Sequence, residues 1–348
     1  MAEYLETQLA DRNNRYRVEL EDYFRTLLID GYAARAAQLW RRDYASPEAY
    51  TQSVAPNRAR WQAILAPPEL PITGAPSFAP VAGLEDLGAQ FVQLPLTPPL
   101  RAEGILALPQ TGAGPFPLVI SQHGVASTPE HVMGLMNPGG AYHSFGRRLV
   151  EAGFAVLAPF NLAESTPRGR IVRLAAMADT TLPGLELVRL QRLLDLVLAR
   201  PDIDPARVGF WGLSLGGMAA QFWTPLEPRI KTAISAAWFN SRVNKMVVTD
   251  PRYACFLDVP EEHIWVRSWL TEFNDADQCS LICPRPFLVT AGKTDFIAWY
   301  PQLVEEFEEL RAHYEQLGLG ERVSLDLHEG GHEVRVEGGI AWMRRWLG

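Results

Sequence analysis

The chain has 348 residues, a formal net charge of −8 and an apolar share of 47%, the balance of an ordinary globular protein with room for a large core. Its acidic surface argues against nucleic acid or an anionic membrane as partner. No apolar run approaches the roughly 20 residues needed to span a bilayer, so neither a membrane nor a nucleic-acid role is expected. The start, MAEYLETQLADRNN, has no basic segment ahead of an apolar core; no secretory signal is read there, and a cytoplasmic protein is expected. Cys255, Cys279 and Cys283 lack a paired framework, and no second pair joins Cys279 and Cys283 to make a zinc site.

Residues 1–65 carry apolar side chains at helical spacing, Tyr23, Phe24, Leu27, Leu28, Tyr32, Leu39 and Trp40 among them. Such a stripe predicts helices that dock on the main domain, though the same helices could instead build a homo-oligomer. Ser46-Pro47 reads as a helix cap followed by a first-turn proline, and residues 58–65 as another short helix. Residues 66–80, APPELPITGAPSFAP, are too rich in proline for a helix or an interior strand and predict a linker or surface strap. The chain thus divides into a helical extension with linker, 1–80, and a main domain, 81–348.

Within the main domain, eight apolar runs read as strands: 91–96, 105–108, 116–121, 154–158, 208–211, 230–236, 287–290 and 323–327. The first two, separated by Pro98-Pro99, suggest an antiparallel pair. Helical patterns over 144–152, 185–198 and 303–317 alternate with the later strands. This predicts the α/β class, with a mostly parallel eight-stranded sheet flanked by helices after an antiparallel start. The alternation breaks over 237–284, where Trp238, Phe239, Tyr253, Phe256, Trp265, Trp269 and Phe273 stand among polar residues. So long a break predicts an insertion packed over the sheet. Its aromatics either shape a pocket, with Trp238 and Phe239 as candidate substrate contacts, or pack a small core of their own.

One stretch carries a chemical signature. Val208 to Trp211 leads into Gly212-Leu213-Ser214-Leu215-Gly216-Gly217 and then into helix-prone Met218-Ala219-Ala220. A strand, tight turn and helix with serine at the apex holds the hydroxyl clear of the sheet in a strained conformation. The backbone N–H of Leu215 would then face an oxyanion formed beside Ser214. A serine needs a base, itself oriented by a carboxylate. The run 287–290, followed by the glycine turn Ala291-Gly292-Lys293-Thr294-Asp295, places an aspartate at the strand's C-terminal edge. The run 323–327, followed by His328-Glu329-Gly330-Gly331-His332, places His332 on a glycine-made loop. The order serine, aspartate, histidine makes Ser214, Asp295 and His332 the candidate catalytic residues. Asp326 and Glu329 are rival acids but lie too close in sequence to His332, and Asp275 and Asp277 fall in the insertion.

After the strand 116–121 comes Gln122-His123-Gly124-Val125. There the N–H of Val125, or that of Gly124, is the candidate second oxyanion donor. His123 and Gly124 are candidates for the substrate-binding wall, with His123 better suited to bracing this loop than to acting as base. His328-Glu329-Gly330-Gly331-His332 also matches H-E-x-x-H, a zinc motif that requires a helix; two central glycines and a preceding strand oppose that reading, and no metal is assigned.

The segments QHGVASTPE (122–130), RPDIDPARVGFWGLSLGGMAA (200–220), PRPFLVTAGKTD (284–295) and HEGGHE (328–333) resemble those of α/β-hydrolases, specifically the dienelactone hydrolase and acetyl xylan esterase-like branch. The resemblance spans about residues 89–346. It implies Ser214 as nucleophile, Asp295 as acid and His332 as base, with no cofactor. Dienelactone hydrolases proper use a cysteine at the nucleophile position; Ser214 here favours ester hydrolysis. The expectation is a serine carboxylesterase for small-molecule esters, with short acyl groups and acetylated sugars suggested by the resemblance alone. An amidase or peptidase of the prolyl oligopeptidase type is the alternative, and a non-catalytic binding protein of the same fold a more distant one.

Overall fold

A computed structural model of the chain describes residues 2–250, 252 and 264–348. The expected positions of Tyr253, Cys255 and Phe256 lie outside the described residues. The chain begins with helix α1 (Ala2–Arg25), then a π-type turn (Thr26–Asp30), α2 (Tyr32–Leu39), α3 (Pro47–Ser53) and α4 (Ala55–Leu65). Ser46 caps α3 as its sequence predicts: it is extended, and its hydroxyl accepts from Ala49 N at 3.1 Å.

The docking expectation for these helices divides in two. Glu3 through Arg25 are all exposed, Tyr23 and Phe24 by more than half, so α1 lends nothing to the core. Trp40, Tyr50, Val54, Trp61, Ile64 and Leu65, by contrast, are buried in the core of the main domain. Trp61 sets its ring 4.8 Å from that of Phe222 and donates its indole N–H to Phe222 O at 2.9 Å. Its polar edge is therefore satisfied inside the core.

The main domain follows as β1 (Ser77–Pro80), β2 (Gln90–Pro95), β3 (Arg101–Ala107), β4 (Phe116–Gln122), α5 (Pro129–Val132), α6 (Phe145–Glu151), β5 (Ala155–Pro159), α7 (Ser165–Met177), α8 (Leu182–Val197), β6 (Ile203–Leu213), α9 (Leu215–Trp223) and β7 (Ile230–Ala236). The insertion contributes α10 (Arg242–Val247), α11 (Trp269–Glu272) and α12 (Asp275–Ser280). Then come β8 (Phe287–Gly292), α13 (Tyr300–Glu315), β9 (Val323–His328) and α14 (Val336–Leu347). The strands form one sheet in the order β1-β2-β3-β5-β4-β6-β7-β8-β9. From β5 to β9 all neighbours are parallel, while β1, β2 and β3 pair antiparallel.

Nine strands replace the expected eight. The additional one is β1, the last four residues of the proline-rich strap, paired to β2 at the sheet edge with all four residues exposed. An edge strand tolerates proline because one side of its backbone has no ladder to complete. The central strands β4 to β8 are buried on both faces, as their continuous apolar runs require. Helix α14 covers one face: Trp342 donates to Thr232 Oγ1 at 2.8 Å, and Met343 and Leu347 approach Gly209. Among the described residues, no helix is long and apolar enough to cross a membrane.

Candidate active site

The parallel strands deliver their C-terminal ends to one edge, and the candidate residues gather there. Ser214 joins β6 to α9 with φ 60° and ψ −118°, a conformation that costs a non-glycine residue of order 1–3 kcal/mol. Close approaches hold it in place. A Cβ on Gly212 would lie 2.1 Å from Gly216 O, and one on Gly216 would lie 2.3 Å from Gln122 O. Both glycines of the G-x-S-x-G turn are therefore dictated by backbone contact. Ser214 N donates to Ala236 O at 2.8 Å, which ties the apex to β7.

Asp295 follows β8 in a tight turn, with its N–H donating to Gly292 O at 3.2 Å. Its side chain is fully buried; Oδ1 accepts from Ile297 N at 3.0 Å and Oδ2 lies 2.8 Å from His332 Nδ1. That arrangement places the imidazole proton on Nδ1 and leaves the Nε2 lone pair for other work. The loop carrying His332 crosses directly over the end of β8. A Cβ on Gly292 would sit 2.2 Å from Gly331 O and 2.3 Å from Gly330 O. The loop is also pinned from its far side, where Val334 N donates to Ala141 O at 2.8 Å and Glu333 pairs with His143 at 2.7 Å. The His143 partner holds the Glu333 carboxyl below the usual range.

The rival acids are engaged elsewhere. Glu329 pairs with Lys293, Asp326 lies 3.9 Å from Arg335, Asp277 pairs with Arg42, and Asp275 is buried against Arg242 at 2.9 Å. Residues 329–332 are not helical, so His328 and His332 do not share a helix face. His328 instead accepts from Gly330 N at 3.1 Å, and burial, with Arg335 nearby, lowers its pKa.

Ser214, Leu215, Val125 and His332 all line one cavity of about 410 Å³. Of the two candidate donors in the loop after β4, Gly124 is already committed: its N–H donates to Tyr142 Oη at 2.6 Å. Trp238 lines the cavity, held from behind by Arg242, whose guanidinium stacks 4.1 Å from its ring and donates to Trp238 O.

Three of the expected substrate contacts are not among the lining residues. His123 is buried, with Nδ1 2.8 Å from Gly124 O and Nε2 accepting from Asn161 N at 3.0 Å. Burial pushes its pKa down to about 4. It is a neutral brace with both nitrogens used. Gly124 packs beneath Ser214, where a Cβ would come within 3.1 Å of the serine Cβ. Phe239 turns inward against Phe307, with ring centres 6.2 Å apart. The insertion's aromatics thus split: Trp238 faces the cavity, whereas Trp269 and Phe273 pack on Phe222, Trp61 and Trp40.

Sequence reasoning did not single out the rest of the wall: Ser127, His131, Asn137, Tyr142, Phe296 and Ile297. A signal existed for the last two, which directly follow Asp295. The others sit on the glycine- and proline-rich stretch between β4 and α6. Among the described residues, no Lys, Arg, Asp or Glu lines this cavity.

No family model matches the chain. In sequence it is similar to the protein named "Putative hydrolase YtaP" of Bacillus subtilis (strain 168), with 25% identity over 258 residues covering 71% of this chain and 84% of that protein. In structure it is similar to a "putative acetyl xylan esterase" from Bacteroides fragilis, with TM-score 0.68, 15% identity and coverage of 91% of this chain and 95% of that one. A glucuronoyl esterase from Solibacter usitatus gives TM-score 0.61 at 15% identity, covering 88% and 95% of the two chains. An acetyl xylan esterase from Paenibacillus sp. R4 gives 0.57 at 16%, covering 89% and 99%. The sheet order, its helical layers and these likenesses define the α/β-hydrolase fold, and that is the fold of this chain.

Proposed function

We propose that the protein is a serine esterase that hydrolyses small, uncharged carboxylic esters at Ser214. The observation that carries this reading is a strained, positive-φ serine sharing one cavity with a histidine whose Nδ1 lies 2.8 Å from a buried aspartate. Ser214 Oγ attacks the ester carbonyl carbon while its proton passes to His332 Nε2. Asp295 holds the imidazole in the Nδ1–H tautomer and stabilises the imidazolium that forms. The N–H groups of Leu215 and Val125 take the oxyanion; loss of one such donor typically costs about 3 kcal/mol. The C–O bond to the leaving alcohol then breaks, and His332 returns its proton to that oxygen. Water attacks the acyl-enzyme with His332 again as base, releasing the acid and restoring the Ser214 hydroxyl.

The described residues of the wall include no Lys, Arg, Asp or Glu, which suits a neutral substrate, because an unpaired charge would be desolvated there without compensation. The cavity lining includes both polar residues (Ser127, His131, Asn137, Tyr142) and apolar ones (Trp238, Ile264, Phe296, Ile297). That mixture is compatible with an ester that carries both a hydroxylated part and a short acyl part. The sugar-ester activities in the names of the structural relatives support trying acetylated sugars first.

Initial rates on p-nitrophenyl acetate, butyrate and octanoate, with matched anilides, test the proposal. The expected result is turnover of esters, greatest at acetate and abolished in Ser214→Ala. Anilide turnover equal to that of the esters would replace the esterase by an amidase. Inactivity of the folded wild type on every ester would overturn the reading.

A further inference from the structure

Away from the candidate active site, at the opposite, N-terminal end of the parallel strands, a second cavity of about 410 Å³ lies between the N-terminal helices and the main domain. Its walls bring Arg58 and Gln62 of α4 and Thr51 of α3 against Cys283 and Arg285, which precede β8. Among the described residues, no Asp or Glu lines it. That is unusual in a chain with eight more acidic than basic residues, where most arginines on the main domain have found carboxylates.

The two guanidiniums have no described carboxylate within ion-pair distance. Arg285 spends its hydrogen bonds on backbone carbonyls, with Nη1 donating to Glu227 O at 3.0 Å and Ile230 O at 2.7 Å, and Nη2 to Thr224 O. Arg58 makes one such bond, from Nη2 to Leu281 O at 3.0 Å, and among the described residues Nε and Nη1 have no protein acceptor. The nearest acid in Arg285's field is Glu227, but its carboxylate is held by both Nε and Nη2 of Arg229. Burial first, and Arg58 second, push the Arg285 pKa down to about 10, so each cation raises the cost of the other. Burial likewise lowers that of Arg58. Two like charges on one partly dry wall, with no counter-charge among the described residues, form half of a binding site.

We propose that this cavity binds a small oxyanion, a carboxylate or phosphate, between Arg58 and Arg285, joining the N-terminal helices to the N-terminal edge of the sheet. The second N–H of Arg58 Nη2, together with the neighbouring Nε–H or Nη1–H, can offer a paired edge to one oxyanion, and Arg285, which lines the same cavity, supplies the second charge. Pro225, Leu226 and Ile282 give an apolar wall for whatever carbon skeleton carries the anion. The site shares no lining residue with the cavity at Ser214, so it stands or falls independently of the esterase reading.

The test is calorimetric titration of the full chain with inorganic phosphate, acetate and chloride at matched ionic strength, alongside thermal melts. Arg285 caps three carbonyls and is left intact; Arg58→Gln and Gln62→Glu are the variants. Phosphate or acetate should bind saturably and raise Tm in the wild type, and whichever binds tighter names the anionic group. Arg58→Gln should weaken that binding by about tenfold or more. Gln62→Glu, which puts a carboxylate into the cavity, should raise Tm without added anion and remove the response to it. The proposal is overturned if neither anion acts beyond chloride, or if Arg58→Gln binds as tightly as wild type.

Discussion

Gly292→Ala should cripple turnover while leaving the fold standing. Gly292 ends β8, directly under the loop that carries His332. Its backbone is not in the left-handed region, so alanine is conformationally acceptable there. The obstacle is space, since the new methyl would lie 2.2 Å from Gly331 O and 2.3 Å from Gly330 O. A carbon-to-oxygen contact settles at about 3.3 Å, so the loop must retreat by about 1 Å. The displaced atoms are one and two residues from His332, whose 2.8 Å contact with Asp295 fixes the ring. A misplacement of about 1 Å in a catalytic group costs on the order of 10²-fold in rate. Initial rates on p-nitrophenyl acetate, with Tm measured in parallel, should show kcat lowered about 10²-fold and KM little changed. A kcat within about threefold of wild type in a folded variant would refute the reasoning, since at least a tenfold loss is required if the loop positions the base.

Asp295→Asn should lower kcat by about 10⁴-fold through loss of the Nδ1–H tautomer, measured on the same ester; near-normal turnover would move the acid role to another carboxylate. His123 bears on acid stability. Its folded pKa, pushed down by burial to about 4, lies below the unfolded value near 6.5, so the unfolded chain takes up the proton first. Stability is complete above about pH 6.5 and falls by about 3 kcal/mol as pH drops to about 4. Denaturant titrations across that window should show a shallower fall in His123→Gln; an unchanged slope would contradict the burial argument. Trp61→Ala should cost about 3–5 kcal/mol, because it empties a fully buried site among Phe222, Trp269 and Phe273. Deleting residues 2–25 should change stability by no more than about 0.5 kcal/mol, since the side chains of Glu3 through Arg25 are all exposed.

What the sequence disclosed, and what it concealed, follows from how local each determinant is. The turn at Ser214 was legible because its glycines, its flanking strand and its helix are contiguous. Asp295 and His332 were legible as positions just past apolar runs, though their 2.8 Å contact is a property of the sheet. Strand β1 was hidden because Pro80 and its neighbours oppose interior strands, and only an edge partner makes them one. Helix α14 was obscured by Gly338-Gly339 in its first turns; a Cβ on Gly339 would collide with the Trp211 ring at 2.0 Å, so packing has overridden propensity. Periodicity could not separate α1 from α2 to α4, because an apolar stripe states only that a face is available. The polar wall of the candidate active site comes from irregular backbone between β4 and α6, where no period exists to read. His123 shows a mixed case: its role as a brace of the loop was legible, but the burial that keeps it from the cavity wall was not.

The central claim is that Ser214 is an activated nucleophile. A fluorophosphonate forms a stable bond only to a serine whose oxygen is deprotonated by a neighbouring base and whose developing oxyanion is held. Intact-mass and peptide mapping after treatment should show one adduct per chain, on the peptide carrying Ser214, absent in Ser214→Ala and strongly slowed in His332→Ala. A folded wild type that takes no adduct, or one that is labelled on a different serine, would contradict the account.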